Sequence, residues 1–570
     1  MAAPVIEFQD FSFRYKSQNE DTLKHINLVI NKGEKVLILG PSGSGKSTLA
    51  NCINGLIPFS YPGEITGSCK VAGIETQEAN LFTLSNHVGT VQQDSDAQFI
   101  GLSVGEDIAF SLENDCVPRS EMLGKVEEAA HTVDMDGFLE ELPYDLSGGQ
   151  KQKVALGGVL HNDVEILLFD EPLAALDPAM GMTAVDLIDR IYREKNKTVL
   201  IIEHRLEDVL YRHVDRIILI NDGQIALDTT PDDLLRSNVL KDMGIREPLY
   251  ISALKNAGCV FGPEDRLADL DELDISLYRE NLVRHFEEQK PSLKNEVPSG
   301  EELLNVDHVT FSYGDFTALK NISFRVKKGE RISVIGKNGA GKSTMAKLLC
   351  GIIRPDEGTV TFRGVNCVQY SIRELGQKIG YVMQNPNQML VKDMIRDEIQ
   401  LAMKLNKFPE ETIEKNAEEV LKMTDLYPMR NWPISVLSYG QRKRVTIASI
   451  LSLRPEIVIV DEPTAGQDYK HYTEIMNFLE KLNREYGITI LFITHDMHLA
   501  IEYTDRSIVF SDGELLADDY VFRVLSDKKV IEKANLKNTS LVLLAEKAGI
   551  DPELFIHAFI DEERRNRVHG

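Results

Sequence analysis

Two stretches hold the residues best suited to phosphate chemistry. Gly40-Pro41-Ser42-Gly43-Ser44-Gly45-Lys46-Ser47-Thr48 recurs as Gly336-Lys337-Asn338-Gly339-Ala340-Gly341-Lys342-Ser343-Thr344, and both fit the pattern G-x-x-x-x-G-K-[ST]. Glycines let successive backbone N–H groups turn onto phosphate oxygens at a helix N-terminus, where the dipole favours negative charge. Lys46 and Lys342 are placed to reach β- and γ-phosphates, and Ser47 and Ser343 to ligate Mg²⁺. Gly40, Ser42, Gly43, Gly45 and Thr48, with Gly336, Asn338, Gly339, Gly341 and Thr344, complete the two candidate cradles.

Carboxylates and imidazoles follow at matched positions. Asp170 and Asp461 end the apolar runs Ile166-Leu167-Leu168-Phe169 and Ile457-Val458-Ile459-Val460. A carboxylate at the tip of a buried strand beside a phosphate loop is placed to hold the Mg²⁺ shell. Glu171 and Glu462 come next, each able to orient or deprotonate an attacking water. A D-E pair alone is commonly a solvated strand end; the phosphate loop upstream and Pro172 or Pro463 behind it favour the catalytic role. His204 and His495 end the following apolar strands, in position for a γ-phosphate contact, the other role being a satisfied core histidine. Tyr15 and Tyr313 precede the lysines by 31 and 29 residues and either stack on adenine or pack structurally.

Positioning these groups requires two similar domains. Gln93 and Gln384, Ser147 and Ser438, Asp170 and Asp461, and His204 and His495 all lie 291 residues apart, and Lys46 and Lys342 lie 296 apart. The first half therefore carries an insertion, placed at Ile57 to Gly67. Short β-branched runs alternate with helical patterns, which predicts an α/β fold: two tandem P-loop domains, each with a mainly parallel sheet, an antiparallel β edge and a helical subdomain between Gln93 and Leu146. Val5 to Tyr15 and Leu304 to Tyr313 read as edge antiparallel strands. The expected domains are 4–258 and 303–570, the second with a helical tail, joined by a charged linker at 259–302 that is partly helical near Asn281 to Gln289 or else disordered.

Bulk composition narrows the functional classes. In this chain of 570 residues, a net charge of −26 argues against gripping nucleic acid, which needs clustered Lys and Arg. No apolar run approaches the ~18 residues of a membrane span, and the N-terminus lacks the basic start and apolar stretch of a secretory signal. The six cysteines are scattered without a C-x-x-C pair, which suits reduced thiols.

With Leu146-Ser147-Gly148-Gly149-Gln150 and Leu437-Ser438-Tyr439-Gly440-Gln441 added, the motif series resembles the ATP-binding-cassette (ABC) ATPases over almost the whole chain. That resemblance implies ATP and Mg²⁺ as cofactors and a head-to-tail pairing of the two halves. Site one would be Lys46, Ser47, Gln93, Asp170, Glu171 and His204 with Ser438 and Gly440. Site two would be Lys342, Ser343, Gln384, Asp461, Glu462 and His495 with Ser147 and Gly149. Ser47, Gln93, Asp170, Ser343, Gln384 and Asp461 are the implied metal ligands. Gly148, Gln150 and Gln441 complete the signature elements, and Asp177 and Asp468 match the D-loops. Tyr439 departs from the family's usual glycine at a position without the main phosphate contacts, so two competent sites are expected.

The segments after Gln93 and Gln384, with Gly244-Ile245-Arg246-Glu247-Pro248-Leu249-Tyr250, resemble energy-coupling factor (ECF) importers of vitamins and metal ions. The fused arrangement resembles the tandem ATPases of hydroxymethylpyrimidine/thiamine uptake. A sugar-importer ATPase and a soluble tandem cassette acting on ribosomes are the alternatives. The ECF resemblance implies two kinds of separate integral-membrane partner, a transmembrane coupling protein and a substrate-binding membrane protein. It also implies a place at the cytoplasmic face of the membrane and no nucleic acid partner. Asp94, Asp96, Gln98, Asn385 and Gln388 offer acceptors for arginines of such partners.

Overall fold

The computed structural model describes residues 3–92, 98–160, 164–174, 176–289, 300–464 and 467–569. Contacts divide the chain into a first unit, Met1–Tyr278 with Asp468–Lys470, and a second, Arg279–Gln467 with His471–Gly570.

The strands of the first unit are β1 (Pro4–Tyr15), β2 (Leu23–Asn31), β3 (Lys35–Leu39), β4 (Gly63–Val71), β5 (Ile74–Glu75), β6 (Val88–Val91), β7 (Ile166–Asp170), β8 (Thr198–Ile202), β9 (Arg216–Asn221) and β10 (Gln224–Thr229). They form a four-stranded antiparallel sheet, β2-β1-β4-β5, and a six-stranded sheet, β10-β9-β3-β8-β7-β6. The second sheet is parallel except where β10 meets β9. Every residue of β3 and β8 is buried, because a parallel sheet is covered on both faces. Val36 and Ile38 of β3 join Phe8, Phe11 and Phe13 of β1 and Leu49 and Ile53 of the helix Lys46–Ile53 in one core. Lys35 opens β3 fully buried, its Nζ 2.9 Å from Asp189 Oδ1 on the helix Pro178–Lys195. Burial pulls the Lys35 pKa down, and Asp189 opposes the shift.

The second unit repeats this with β11 (Glu302–Tyr313), β12 (Phe316–Lys327), β13 (Arg331–Ile335), β14 (Glu357–Phe362), β15 (Val365–Asn366), β16 (Ile379–Val382), β17 (Ile457–Asp461), β18 (Thr489–Ile493), β19 (Arg506–Ser511) and β20 (Glu514–Tyr520). Its sheet orders, β12-β11-β14-β15 and β16-β17-β18-β13-β19-β20, preserve every neighbour relation of the first unit. The helical subdomains are also present. In the second unit Ile395, Ile399 and Met403 of the helix Ile395–Leu405 pack with Ile413, Ala417 and Val420 of Glu410–Met423 at helical spacing.

One expectation is corrected. Val5 to Tyr15 and Leu304 to Tyr313 are not edge strands: β1 and β11 each lie second in a separate antiparallel sheet, hydrogen-bonded on both sides. The inserted residues supply part of that pairing in the first unit, because they lengthen β4 until Gly63 faces Tyr15. Residues 259–278 fold with the first unit, where Tyr250 Oη donates to the Leu267 carbonyl at 2.5 Å. The helix Arg279–Gln289 belongs to the second unit and packs on its C-terminal helices, with Arg279 Nε donating to the Ala548 carbonyl at 2.9 Å. The cysteines of the chain are free.

Candidate functional site

Strand register brings the chemistry together. In the first unit Leu39 pairs with Leu219, and Asp170 with Ile202, so β3, β7 and β8 finish on one edge of the sheet. The phosphate loop, the Asp170–Glu171 pair and His204 all follow those ends, the usual ligand edge of an open parallel sheet.

Glycine is required in that loop. Gly40 has φ 153° and a Cβ there would stand 2.1 Å from the Ile220 carbonyl oxygen, while Gly45 has φ 106° and would meet Leu23 at 2.9 Å. No side chain caps the helix Lys46–Ile53, so its first N–H groups face the loop, ready for an anion. Lys46 Nζ donates to the carbonyls of Gly40 and Pro41 at 2.8 and 2.9 Å. Burial lowers the pKa of Lys46, and Glu171 and Asp170 act against the shift. The Ser44 hydroxyl is buried with no hydrogen-bond partner, an unspent group in a cradle built for oxygen acceptors. The second unit matches: Lys342 Nζ donates to Gly336 and Lys337 at 2.6 and 2.9 Å, and a Cβ on Gly336 would lie 2.1 Å from the Phe510 carbonyl.

Ser47 Oγ lies 3.4 Å from Asp170 Oδ1, and Ser343 Oγ 3.5 Å from Asp461 Oδ2. A hydroxyl and a carboxylate so placed are the hard oxygen donors Mg²⁺ takes, and the pair fits that ion in both units. Burial raises the pKa of both aspartates. Tyr381 opposes this at Asp461, where its hydroxyl donates at 2.7 Å.

The glutamates sit beside the histidines. Glu171 Oε1 is 2.9 Å from His204 Nε2, and Glu462 Oε1 is 2.7 Å from His495 Nδ1. Burial would raise the pKa of Glu462, but His495 and Lys342 outweigh it and hold the carboxyl below its usual range. Glu171 and Glu462 have φ of 50° and 40°, left-handed backbone that is costly for a side chain of this kind. Their N–H groups donate to the Ile202 and Ile493 carbonyls at 2.9 and 2.8 Å, which fixes that conformation.

Other sequence-predicted residues divide. Tyr15 Oη lies 3.1 Å from Thr48 Oγ1, with its ring edge-on to Phe13; Tyr313 is half-exposed and edge-on to Phe311. Ser147 and Gln150 cap a helix reciprocally, with distances of 2.9 and 3.4 Å, and Ser438 and Gln441 do the same at 2.9 and 3.3 Å. Gly148 and Gly149, like Gly440, lie in the first turn of the helices so capped. Asp177 caps the helix Pro178–Lys195. Gln93, Asp94 and Asp96 lie outside the described residues. Gln98 uses its amide within its own loop, at Gln92 and Thr90, rather than offering it outward.

Glu203 is a residue that the motifs did not single out. It is buried at 2% exposure and accepts the N–H groups of Leu173 and His204 at 3.0 and 2.9 Å, tying the turn after Glu171 to the histidine. A charged residue ending the apolar run Ile201-Ile202 was the available signal. Its counterpart Thr494 instead donates to Glu462 at 3.2 Å.

A family model described as ABC transporter matches residues 23–174 and 319–465, which contain both phosphate loops and both Asp–Glu pairs. The chain belongs to the ABC transporter family. A second model, described as ATP-binding cassette cobalt transporter, matches residues 237–311. Relatives named as ABC transporter ATP-binding proteins extend over the full length. One from Clostridium perfringens is 53% identical over 565 residues, covering 99% of each chain, and one from Enterococcus faecalis is 53% identical over 570 residues, covering 100% of each. One from Vibrio vulnificus is 51% identical, covering 99% of this chain and 98% of its own. Among solved structures, cbiO1 from Clostridium perfringens, described as part of the ABC transporter complex cbiONQ, is 34% identical with a TM-score of 0.39, over 43% of this chain and 99% of its own. Both cassettes are ATP-binding domains, and the chain is the ATP-hydrolysing subunit of an ABC transporter.

Proposed function

We propose that this ABC ATPase energises an ECF-type importer of a transition-metal ion. The observation that carries the energising role is the duplicated constellation of lysine, serine, aspartate, glutamate and histidine at the sheet edge. The match of residues 237–311 to an ATP-binding cassette cobalt transporter favours metal cargo over a thiamine precursor. The cargo would not touch this chain.

In the proposed cycle Lys46 and Lys342 swing from the loop carbonyls to the β- and γ-phosphates. Ser47 with Asp170, and Ser343 with Asp461, would hold Mg²⁺, which supplies neutralisation of the phosphate charge. Glu171 and Glu462 orient the attacking water and take its proton, while His204 and His495 keep each carboxylate aimed. Gln93 and Gln384 sense the bound nucleotide. Tyr15 and Tyr313 border the adenine.

Among the described residues no helix is long and apolar enough to cross a membrane. We place the chain at the cytoplasmic face, acting on separate membrane chains. Expression with its neighbouring membrane proteins, reconstitution in vesicles and measurement of ATP-driven Co²⁺ uptake tests this reading. Uptake of a thiamine precursor but not Co²⁺ would overturn the metal assignment. ATP turnover with no membrane partner recovered would overturn the importer assignment.

A further inference from the structure

Tyr439 occupies the signature position where the first half has Gly148, and the phosphate chemistry leaves it without a task. Its hydroxyl donates to the backbone carbonyl of Gln384 at 3.1 Å. One turn along the same helix, Tyr439–Leu451, the fully buried Lys443 donates through Nζ to the carbonyls of Met383 and Gln384, at 2.8 Å each. The i, i+4 spacing puts both side chains on one helix face. Arg442 adds a bond to Asn387 Oδ1 at 3.2 Å. One helix therefore holds Met383, Gln384 and Asn387 of the loop that leaves β16, and the lysine bonds are charge-assisted.

Among the described residues, the two matching helix positions of the first half are filled differently. Gly148 has no hydroxyl to offer, and Gln152, at the position of Lys443, donates to the Pro172 carbonyl behind Glu171.

We propose that Tyr439 and Lys443 are positioning residues that clamp the Gln384 loop to the signature helix of the second half. The loop and the helix then move as one body when nucleotide binds. The inference deepens the proposed ATPase cycle and rests on its assignment of Gln384 to the nucleotide.

Hydrogen exchange of the full-length protein, followed by mass spectrometry, tests the clamp. The reporters are the amides of Met389 and Leu390, which donate to the Pro386 carbonyl at 3.0 and 3.2 Å. Tyr439→Phe should speed their exchange about fivefold, and Tyr439→Phe with Lys443→Gln at least about tenfold. In the same variants kcat should fall while KM for ATP holds, because the phosphate loop is untouched. In a Glu462→Gln background, ATP should slow exchange at the loop and at residues 439–443 together, and the double variant should uncouple the two. Tyr439→Phe is mild enough to fold if Lys443→Gln does not. Unchanged exchange at Met389 and Leu390 in both variants, or a rise spread equally over β18, would overturn the clamp and leave the ATPase reading standing. A wild-type chain that neither binds nor hydrolyses ATP would defeat the ATPase reading, whatever the exchange shows.

Discussion

Replacing Glu462 by glutamine probes the hydrolytic centre with the least disturbance. The carboxylate sits between His495 Nδ1 at 2.7 Å and the Thr494 hydroxyl at 3.2 Å, and its side chain is 13% exposed. Glutamine keeps the volume and one acceptor oxygen, so the turn and the phosphate loop should stay intact. What disappears is the charge proposed to accept the proton of the attacking water. General-base catalysis contributes about 10²–10⁴-fold, and the conserved shape puts this loss near the lower end, about 10²-fold or ~2.7 kcal/mol at that site. Two such centres in one chain make the whole-chain rate informative. Independent sites leave about half of the wild-type turnover, and coupled sites leave about one hundredth; Glu171→Gln with Glu462→Gln falls by about 10²-fold in either case. Phosphate release at saturating Mg-ATP, with equilibrium binding of a fluorescent ATP analogue, reads both quantities. The reasoning fails if the double variant keeps more than about a tenth of wild-type turnover, or if Glu462→Gln abolishes analogue binding.

Lys46→Ala should weaken ATP binding at the first site by about 10–100-fold, since the proposed charge-assisted contact to phosphate is lost; titration of the Lys342→Ala partner variant isolates that site, and unaltered affinity would contradict the lysine's assignment. Chelation of divalent ions should stop turnover, with recovery on adding Mg²⁺, and hydrolysis persisting in excess chelator would remove the Ser47–Asp170 and Ser343–Asp461 pairs from the mechanism. Asp189→Asn should destabilise the first domain by about 3–5 kcal/mol, because Lys35 is left charged and buried; replacing both partners with apolar residues should cost far less, and equal melting temperatures for Asp189→Asn and wild type would refute the pairing argument. Glu203→Thr, which copies the second half, should lower kcat with little change in KM, and a shift in KM alone would mean that the residue acts on binding rather than on the placement of His204.

The phosphate loops, the Asp–Glu pairs and the duplication were legible in the sequence because each is local. A phosphate cradle is made from adjacent residues, and a buried parallel strand announces itself as an apolar run ending in a carboxylate. The helical subdomain was legible as a stretch of mostly helical character between Gln93 and Leu146. Tertiary structure alone decided which groups meet. Register between β7 and β8 brings the end of one strand against the next, so that Glu171 reaches His204 across 33 residues of chain. Periodicity could not show that β1 lies inside a separate sheet, because an antiparallel strand has the same alternation at an edge as within. Nor could it show the left-handed backbone of Glu171 and Glu462, the buried brace at Glu203, or the grip of Tyr439 and Lys443 on the Gln384 loop. Those depend on backbone N–H and carbonyl groups that every residue carries, and only the fold selects which of them a side chain will find.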